Sequence, residues 1–212
     1  SFMIYQYNLS TPWNVSTATY ASLSKSVSAE GTYLRGLRFS SDGTKMYLVS
    51  YSNYNVYQYN LSTPWNVSTA TYASISKNVS AQDTFPMGLS FSPDGTKMFV
   101  SGYVSKNIYQ YNLSTAWNIS TATYASLSLS VIGEDPNAVG MAISTDDANI
   151  YVVGTSYDSV FQYSTEVFTA LTTPASIQNP PIAAYISGSQ VAYTFFTADA
   201  GTTVKLINEQ VV

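Results

Sequence analysis

Apolar and polar residues alternate along this chain in short runs, and the runs recur. From Thr71 to Ser80, Ala73, Ile75, Lys77 and Val79 alternate with Ser74, Ser76 and Ser80. A period of two belongs to a strand with one covered face. From Lys45 to Tyr51 the large side chains stand on both faces, Met46 and Leu48 on one and Tyr47, Val49 and Tyr51 on the other, as in a strand covered on both sides. No helix of useful length fits between the runs. Four strands are predicted per unit. The first two, 36–40 and 45–51, flank Ser41-Asp42-Gly43-Thr44. Asp-Gly there is a strong hairpin signal, because Gly takes a positive φ cheaply. The third spans 56–61. Ser62-Thr63-Pro64-Trp65-Asn66 then breaks the pairing, since Pro lacks the N–H a central ladder needs. The fourth runs from about residue 71 to 80.

The unit repeats. Tyr5-Gln6-Tyr7-Asn8-Leu9 returns at 57–61 and 109–113, with a weaker copy at Phe161-Gln162-Tyr163, each step being 52 residues. Trp13, Trp65 and Trp117 keep the register, as do Gly36, Gly88 and Gly140. Residues 4–30 and 56–82 differ at four positions. The fold class predicted is all-β, with β-propeller blades of four antiparallel strands per repeat of 52 residues and a small β tail. The propeller region is 1–166, a Pro/Thr-rich linker 167–181 and the small β segment 182–212. Complete units lie at 34–80 and 86–132, the first three strands of another at 138–163, and the last two strands of a preceding one within 1–30. The ring does not close within these residues. A piece of a longer array and a homo-oligomer that completes the ring both remain open. The tail is expected to contact something outside its own propeller, because Tyr193, Phe195 and Phe196 are too apolar for a three-stranded piece in water.

The segment from Phe91-Ser92-Pro93-Asp94-Gly95 through Val100 resembles the repeat signature of lactonase-like, YVTN-type bacterial propellers. The phrase from Tyr5 to Ala18 resembles repeats of bacterial surface proteins and of tailed-phage virion proteins. The resemblance covers residues 1 to about 166; the third copy departs from it at Thr145-Asp146-Asp147-Ala148. It implies a propeller and a setting on a virion appendage such as a tail fibre, or outside the cell or on its surface.

Composition narrows the chemistry. Only 9% of residues are charged and the net charge is −4, so no basic footprint for nucleic acid exists. No apolar run is long enough to insert in a membrane. There is no Cys and no His, which removes thiolate chemistry and the commonest general base and metal ligand. No catalytic residue, metal site or cofactor is expected. Asp42, Asp94 and Asp146 share a register and read as turn-capping residues rather than Ca²⁺ ligands. Glu134-Asp135 and Asp146-Asp147 are the only paired acids and read as loop acids. The sequons at Asn8, Asn14, Asn60, Asn66, Asn78, Asn112 and Asn118 read as strand and turn chemistry. The Trp residues read as blade wedges rather than sugar platforms.

The copies differ most at one end. In an antiparallel four-stranded blade, the second-to-third and interblade connections share an end, and here both change from copy to copy. Serving as binding loops and drift at an unconstrained end both explain this. Binding candidates are Tyr33, Asn53, Tyr54, Phe85, Lys106, Asn137, Tyr157 and Asp158. The function expected is non-enzymatic structural or adhesion work on a phage virion, with virion or surface proteins or a host glycan as partners. A secreted or cell-surface bacterial propeller and a lactonase-like hydrolase are the alternatives.

Overall fold

The structure is a computed structural model. It describes residues 2–31, 33–144, 146, 148–157 and 159–164, with 183–185, 192–197 and 204–208. The chain divides into two compact units, Ser1–Glu166 and Val167–Val212. The second contains one antiparallel sheet in chain order: β14 (Ala183–Tyr185), β15 (Ala192–Thr197) and β16 (Val204–Asn208). The expectations for the linker and for the side chains of the tail lie outside the described residues.

The first unit is a run of antiparallel sheets whose strands pair in sequence order. β1 (Met3–Leu9) pairs with β2 (Ala18–Ser26). Blade one is β3 (Leu34–Phe39), β4 (Lys45–Ser50), β5 (Asn55–Leu61) and β6 (Ala70–Asn78). Blade two is β7 (Pro86–Phe91), β8 (Lys97–Gly102), β9 (Asn107–Leu113) and β10 (Ala122–Ser130). Blade three is β11 (Ala138–Ile143), β12 (Asn149–Gly154) and β13 (Val160–Ser164). The all-β propeller architecture is thus the one the repeat predicts.

The second strands are buried on both faces, as their patterning requires: Tyr47 and Val49 pack toward Leu89, Phe91 and Met98 of blade two, while Met46 and Leu48 pack with Val27, Tyr57 and Tyr59. The outer strands show the alternation read from sequence, with one interruption. Opposite Gln58 and Tyr59 the register shifts between Tyr72 and Ile75, and Ser74 sits at φ 57°. Ser22 and Ser126 repeat this left-handed bulge. A bulge bends an outer strand and blunts its open edge against stray pairing.

Two devices brace the blades. The first acts within a blade: the Trp65 main-chain N–H donates to the Gly43 carbonyl, 2.9 Å, and its indole covers Gly43; Trp117 treats Gly95 alike. A Cβ on either glycine would stand 2.3 Å from the indole, and both have φ near +70°, so the Asp-Gly turn needs Gly twice over. The second device is a glutamine. Gln6 Oε1 accepts the Val67 N–H and Gln58 Oε1 accepts the Ile119 N–H, each at 3.1 Å and each from one sheet to the next. Asn14, Asn66 and Asn118 cap short 3-10 turns, accepting from the N–H of the second residue on.

The turn aspartates act locally. Asp42 accepts from the Ser40 hydroxyl at 2.6 Å and from the Thr44 N–H and hydroxyl, and these bonds lower its pKa to about 2. Asp94 does the same with Ser92 and Thr96, also reaching about 2. The folded state therefore favours the carboxylate. Its stabilisation is full above about pH 4 and is lost as pH falls toward 2. The double variant Asp42→Asn, Asp94→Asn should show a flatter acid branch in unfolding midpoints followed from pH 5 to 2. An unchanged branch would assign acid unfolding to other groups.

Candidate functional site

The three first strands, β3, β7 and β11, lie side by side and line an open cleft of about 470 Å³. Each carries a bulge at the same place, between Leu34 and Leu37, Pro86 and Gly88, and Ala138 and Gly140. Two cations border this cleft, Arg35 and Arg38, and they are the only arginines in the chain. Both break the repeat: position 35 becomes Met87 and Val139 in the next copies, and position 38 becomes Ser90 and Ala142.

The two guanidinium groups have different tasks. Arg38 is half-buried and donates to the Leu37 carbonyl at 2.9 Å and, two blades away, to the Met141 carbonyl at 2.6 Å. Burial lowers its pKa. It also borders a second opening, beside Phe39, Trp65, Phe91 and Trp117, and so stands between the two. Arg35 is exposed, and its guanidinium carbon lies 5.3 Å above the centre of the Tyr51 ring.

Beside Arg35 a ridge of stacked rings runs along the end where the copies diverge. Tyr33 stacks on Tyr51 with centroids 4.9 Å apart, Tyr51 on Phe85 at 4.1 Å, and Phe85 meets Tyr103 at 5.4 Å. The Lys106 ammonium lies 4.2 Å over Tyr103 and donates to Asn137 Oδ1 at 3.2 Å. Asn137 in turn donates to the Ser156 hydroxyl at 2.8 Å.

The structure thus joins Tyr33, Phe85, Lys106 and Asn137 in one connected feature. The other candidates stand apart from it. Asn53 is a loop brace, its amide donating to the Glu30 carbonyl at 2.9 Å and to the Tyr57 hydroxyl. Tyr54 holds a left-handed turn at φ 61°, its carbonyl accepting the Val79 N–H; Lys106 shares that backbone role at φ 60°. Tyr157 is exposed with its N–H on Asp135, and Asp158 lies outside the described residues. Sequence reading missed Arg35, Arg38, Tyr51 and Tyr103. The first two could have been found as breaks in the repeat, and the last two share a register at the end of the second strand.

Asp83, and Asp135, read from sequence as one of a pair of loop acids, are buried latches. Asp83 accepts the Phe85 and Ser105 N–H groups at 2.5 and 2.6 Å. Asp135 accepts those of Asn137, Ser156 and Tyr157. Burial pushes the Asp135 carboxyl up, but these hydrogen bonds outweigh it and hold the pKa below the usual range. Glu134 accepts the Tyr163 hydroxyl at 2.8 Å, and Gln82 the Tyr111 hydroxyl at 2.7 Å. Among the described residues, no three His, Cys, Asp or Glu gather as a metal site would need.

These features define an all-β unit of propeller-like blades, with first strands around an open cleft and divergent loops at one end. No family model matches the sequence, and no curated protein matches it. Among solved structures, a candidate 6-phosphogluconolactonase from Bacteroides uniformis shares the fold at TM-score 0.52 and 10% identity, over 94% of this chain and 62% of that one. A second from Bacteroides fragilis gives TM-score 0.48 and 14% identity, over 84% of this chain and 55% of that one. The periplasmic gluconolactonase of Pseudomonas aeruginosa gives 0.43 and 12%, over 82% and 53%. The fold assignment rests on the first, of whose length this chain spans less than two thirds.

The first of these structures corrects the functional expectation. It shares this fold and is named as a candidate 6-phosphogluconolactonase, not as a fibre or adhesin, so the reading as a non-enzymatic virion or surface adhesion protein is withdrawn. That reading leaned on the absence of His and on the scarcity of charge. Missing His excludes an imidazole base; it does not exclude anion binding and charge stabilisation by arginine.

Proposed function

We propose that this chain carries the substrate-anchoring part of a lactonase-type hydrolase acting on the lactone of a sugar acid. The single observation behind this is the placement of the only two arginines, both on the strand bordering the cleft and both departures from the repeat. Arg35 is exposed and offers a planar set of donors suited to a phosphate or carboxylate. Arg38 is committed to backbone carbonyls and positions β3 against β11. In lactone hydrolysis water adds to the ring carbonyl, the ring C–O bond breaks and its oxygen takes up a proton. A guanidinium near the carbonyl stabilises the negative oxygen of the tetrahedral intermediate. Among the described residues the side chains bordering the cleft include no carboxylate, and the reading gives this part of the site binding and charge. The partners of this reading are small anionic sugars.

The test is calorimetric titration with 6-phosphogluconate, alongside hydrolysis of its δ-lactone followed by acid release. Arg35→Met, which restores the residue of the second copy, should weaken binding about tenfold or more. No binding, together with lactone loss no faster than in buffer, would remove the reading.

A further inference from the structure

We infer that Arg38 is a specificity-determining residue of the cleft. Its side chain bars a groove that runs along the first strands, and so limits the substrate to a compact ring without an extended apolar substituent. The inference deepens the reading of the cleft as a lactone site and rests on it.

The cleft and the second opening follow one another along the same three strands. The wall from blade one lies within 34–38 for the cleft and within 37–41 for the other opening. Blade two contributes 87–89 and then 90–93, and blade three 139–141 and then Ile143. Among the described residues Arg38 alone borders both. The strands approach closely where they carry glycine. A Cβ on Gly36 would stand 3.0 Å from the Leu89 nitrogen, and one on Gly88 3.4 Å from the Val139 carbonyl oxygen.

Arg38 crosses this groove. One guanidinium nitrogen reaches past β7 to the Met141 carbonyl of β11 at 2.6 Å, and another is tied to the Leu37 carbonyl at 2.9 Å. Two anchors hold a planar group in one orientation. The same register carries Ser90 in blade two and Ala142 in blade three, small residues that leave room for one long side chain. The spaces on either side differ in chemistry. Beyond Arg38 stand the rings of Phe39, Trp65, Phe91 and Trp117, around a space of about 430 Å³, with Trp65 52% exposed. An alkyl group gains by burial there. To reach it from the Arg35 side, the group must pass Arg38, three strand residues or roughly 10 Å further along β3. It would either pull the guanidinium from two carbonyls or lie across it and strip its remaining water. Both are costly. A compact ring beside Arg35 meets neither obstacle.

The experiment compares cyclopentanone with 2-heptylcyclopentanone, ring ketones that water does not open, by calorimetry on the intact chain. In parallel, δ-valerolactone and δ-dodecalactone are compared by acid release. In the wild-type chain the heptyl tail should add less than about threefold to ketone affinity, since less than one methylene finds cover at roughly fourfold each. In Arg38→Ser it should add about thirtyfold or more, as two to three methylenes enter the aromatic space. The kcat/KM ratio of the two lactones should move the same way. Arg38→Lys, which keeps a long cationic side chain, should hold the wild-type ratio. Arg38→Met fills the volume without the two hydrogen bonds and can swing aside, so it should show the gain even where Arg38→Ser fails to fold. Adding Trp65→Ala to either should remove most of the gain. An equal tail effect in the wild type and both Arg38 variants, a gain that survives Trp65→Ala, or no ketone binding by any form would each overturn the inference. Equal tail effects with lactone turnover would do so and leave the hydrolase reading intact. A tail effect confined to Arg38→Ser and Arg38→Met, with no lactone turnover in any form, would remove the hydrolase reading and keep the bar.

Discussion

Gly102→Ser should lower the unfolding free energy by about 3 kcal/mol, and adding Asp83→Gly should return most of that loss. A Cβ on Gly102 would stand 2.3 Å from the Asp83 carboxylate, which is 4% exposed and latched to two backbone N–H groups. The side chain and the carboxylate cannot both occupy the space. The first copy shows the other solution: the register of Asp83 and Gly102 there holds Gly31 and Ser50, with the Ser50 hydroxyl 3.0 Å from that of Ser52. Blade three repeats the Asp form, with Asp135 against Gly154. Each pair fills one volume, so the exchange works only as a pair. Denaturant melts of both single variants and the double variant measure the coupling. Additive losses would show that the two positions are independent.

The three tryptophans of the repeat should give three different losses on replacement by Ala, although they share a register. Trp117 is half-buried against Phe91 and Tyr47 at 5.3 and 6.3 Å, and the Tyr47 hydroxyl donates to its carbonyl. Its removal should cost about 3–5 kcal/mol, as for other large buried aromatics. Trp65 is 52% exposed and contacts Phe39 and the Gly43 turn, so its loss should be smaller. Trp13 is 101% exposed and its replacement should fall within about 0.5 kcal/mol. Equal losses in urea titrations would mean that the indoles act through the 3-10 turns they precede and not as wedges between blades.

Much of this architecture was legible because repetition and alternation are strong signals. The 52-residue step located each strand, and the apolar run from Met46 to Val49 implied cover on both faces, which the packing supplies. The outer-strand bulges were not legible, since Ser at positive φ carries no sequence mark that Gly would. The site was legible only in part. Divergence between copies marks loops that differ, and it led to Tyr33, Phe85, Lys106 and Asn137. It also swept in Asn53, whose amide is spent on bracing its own loop. Tyr51 and Tyr103 sit at strand ends and read as sheet residues, so their stacking across blades shows only in three dimensions. Asp135 read as a loop acid, and Asp83 carried no mark of its own, because burial of a carboxylate depends on N–H groups brought from another loop.

The glutamines that pass from one sheet to the next also bear on how the chain reaches this structure. Gln6 and Gln58 each accept a main-chain N–H from a residue 61 positions later. Each of these two sheets therefore holds out an acceptor that the next sheet fills. During synthesis the N-terminal sheet emerges first and becomes a template, and order propagates toward the C-terminus by nearest-neighbour steps rather than by one global collapse. Near-identity of the copies is a hazard in such a process, because the acceptor of one sheet fits the matching turn of any other. An array of this kind is exposed to skipped-repeat misfolding whenever a later copy is available before its predecessor has docked.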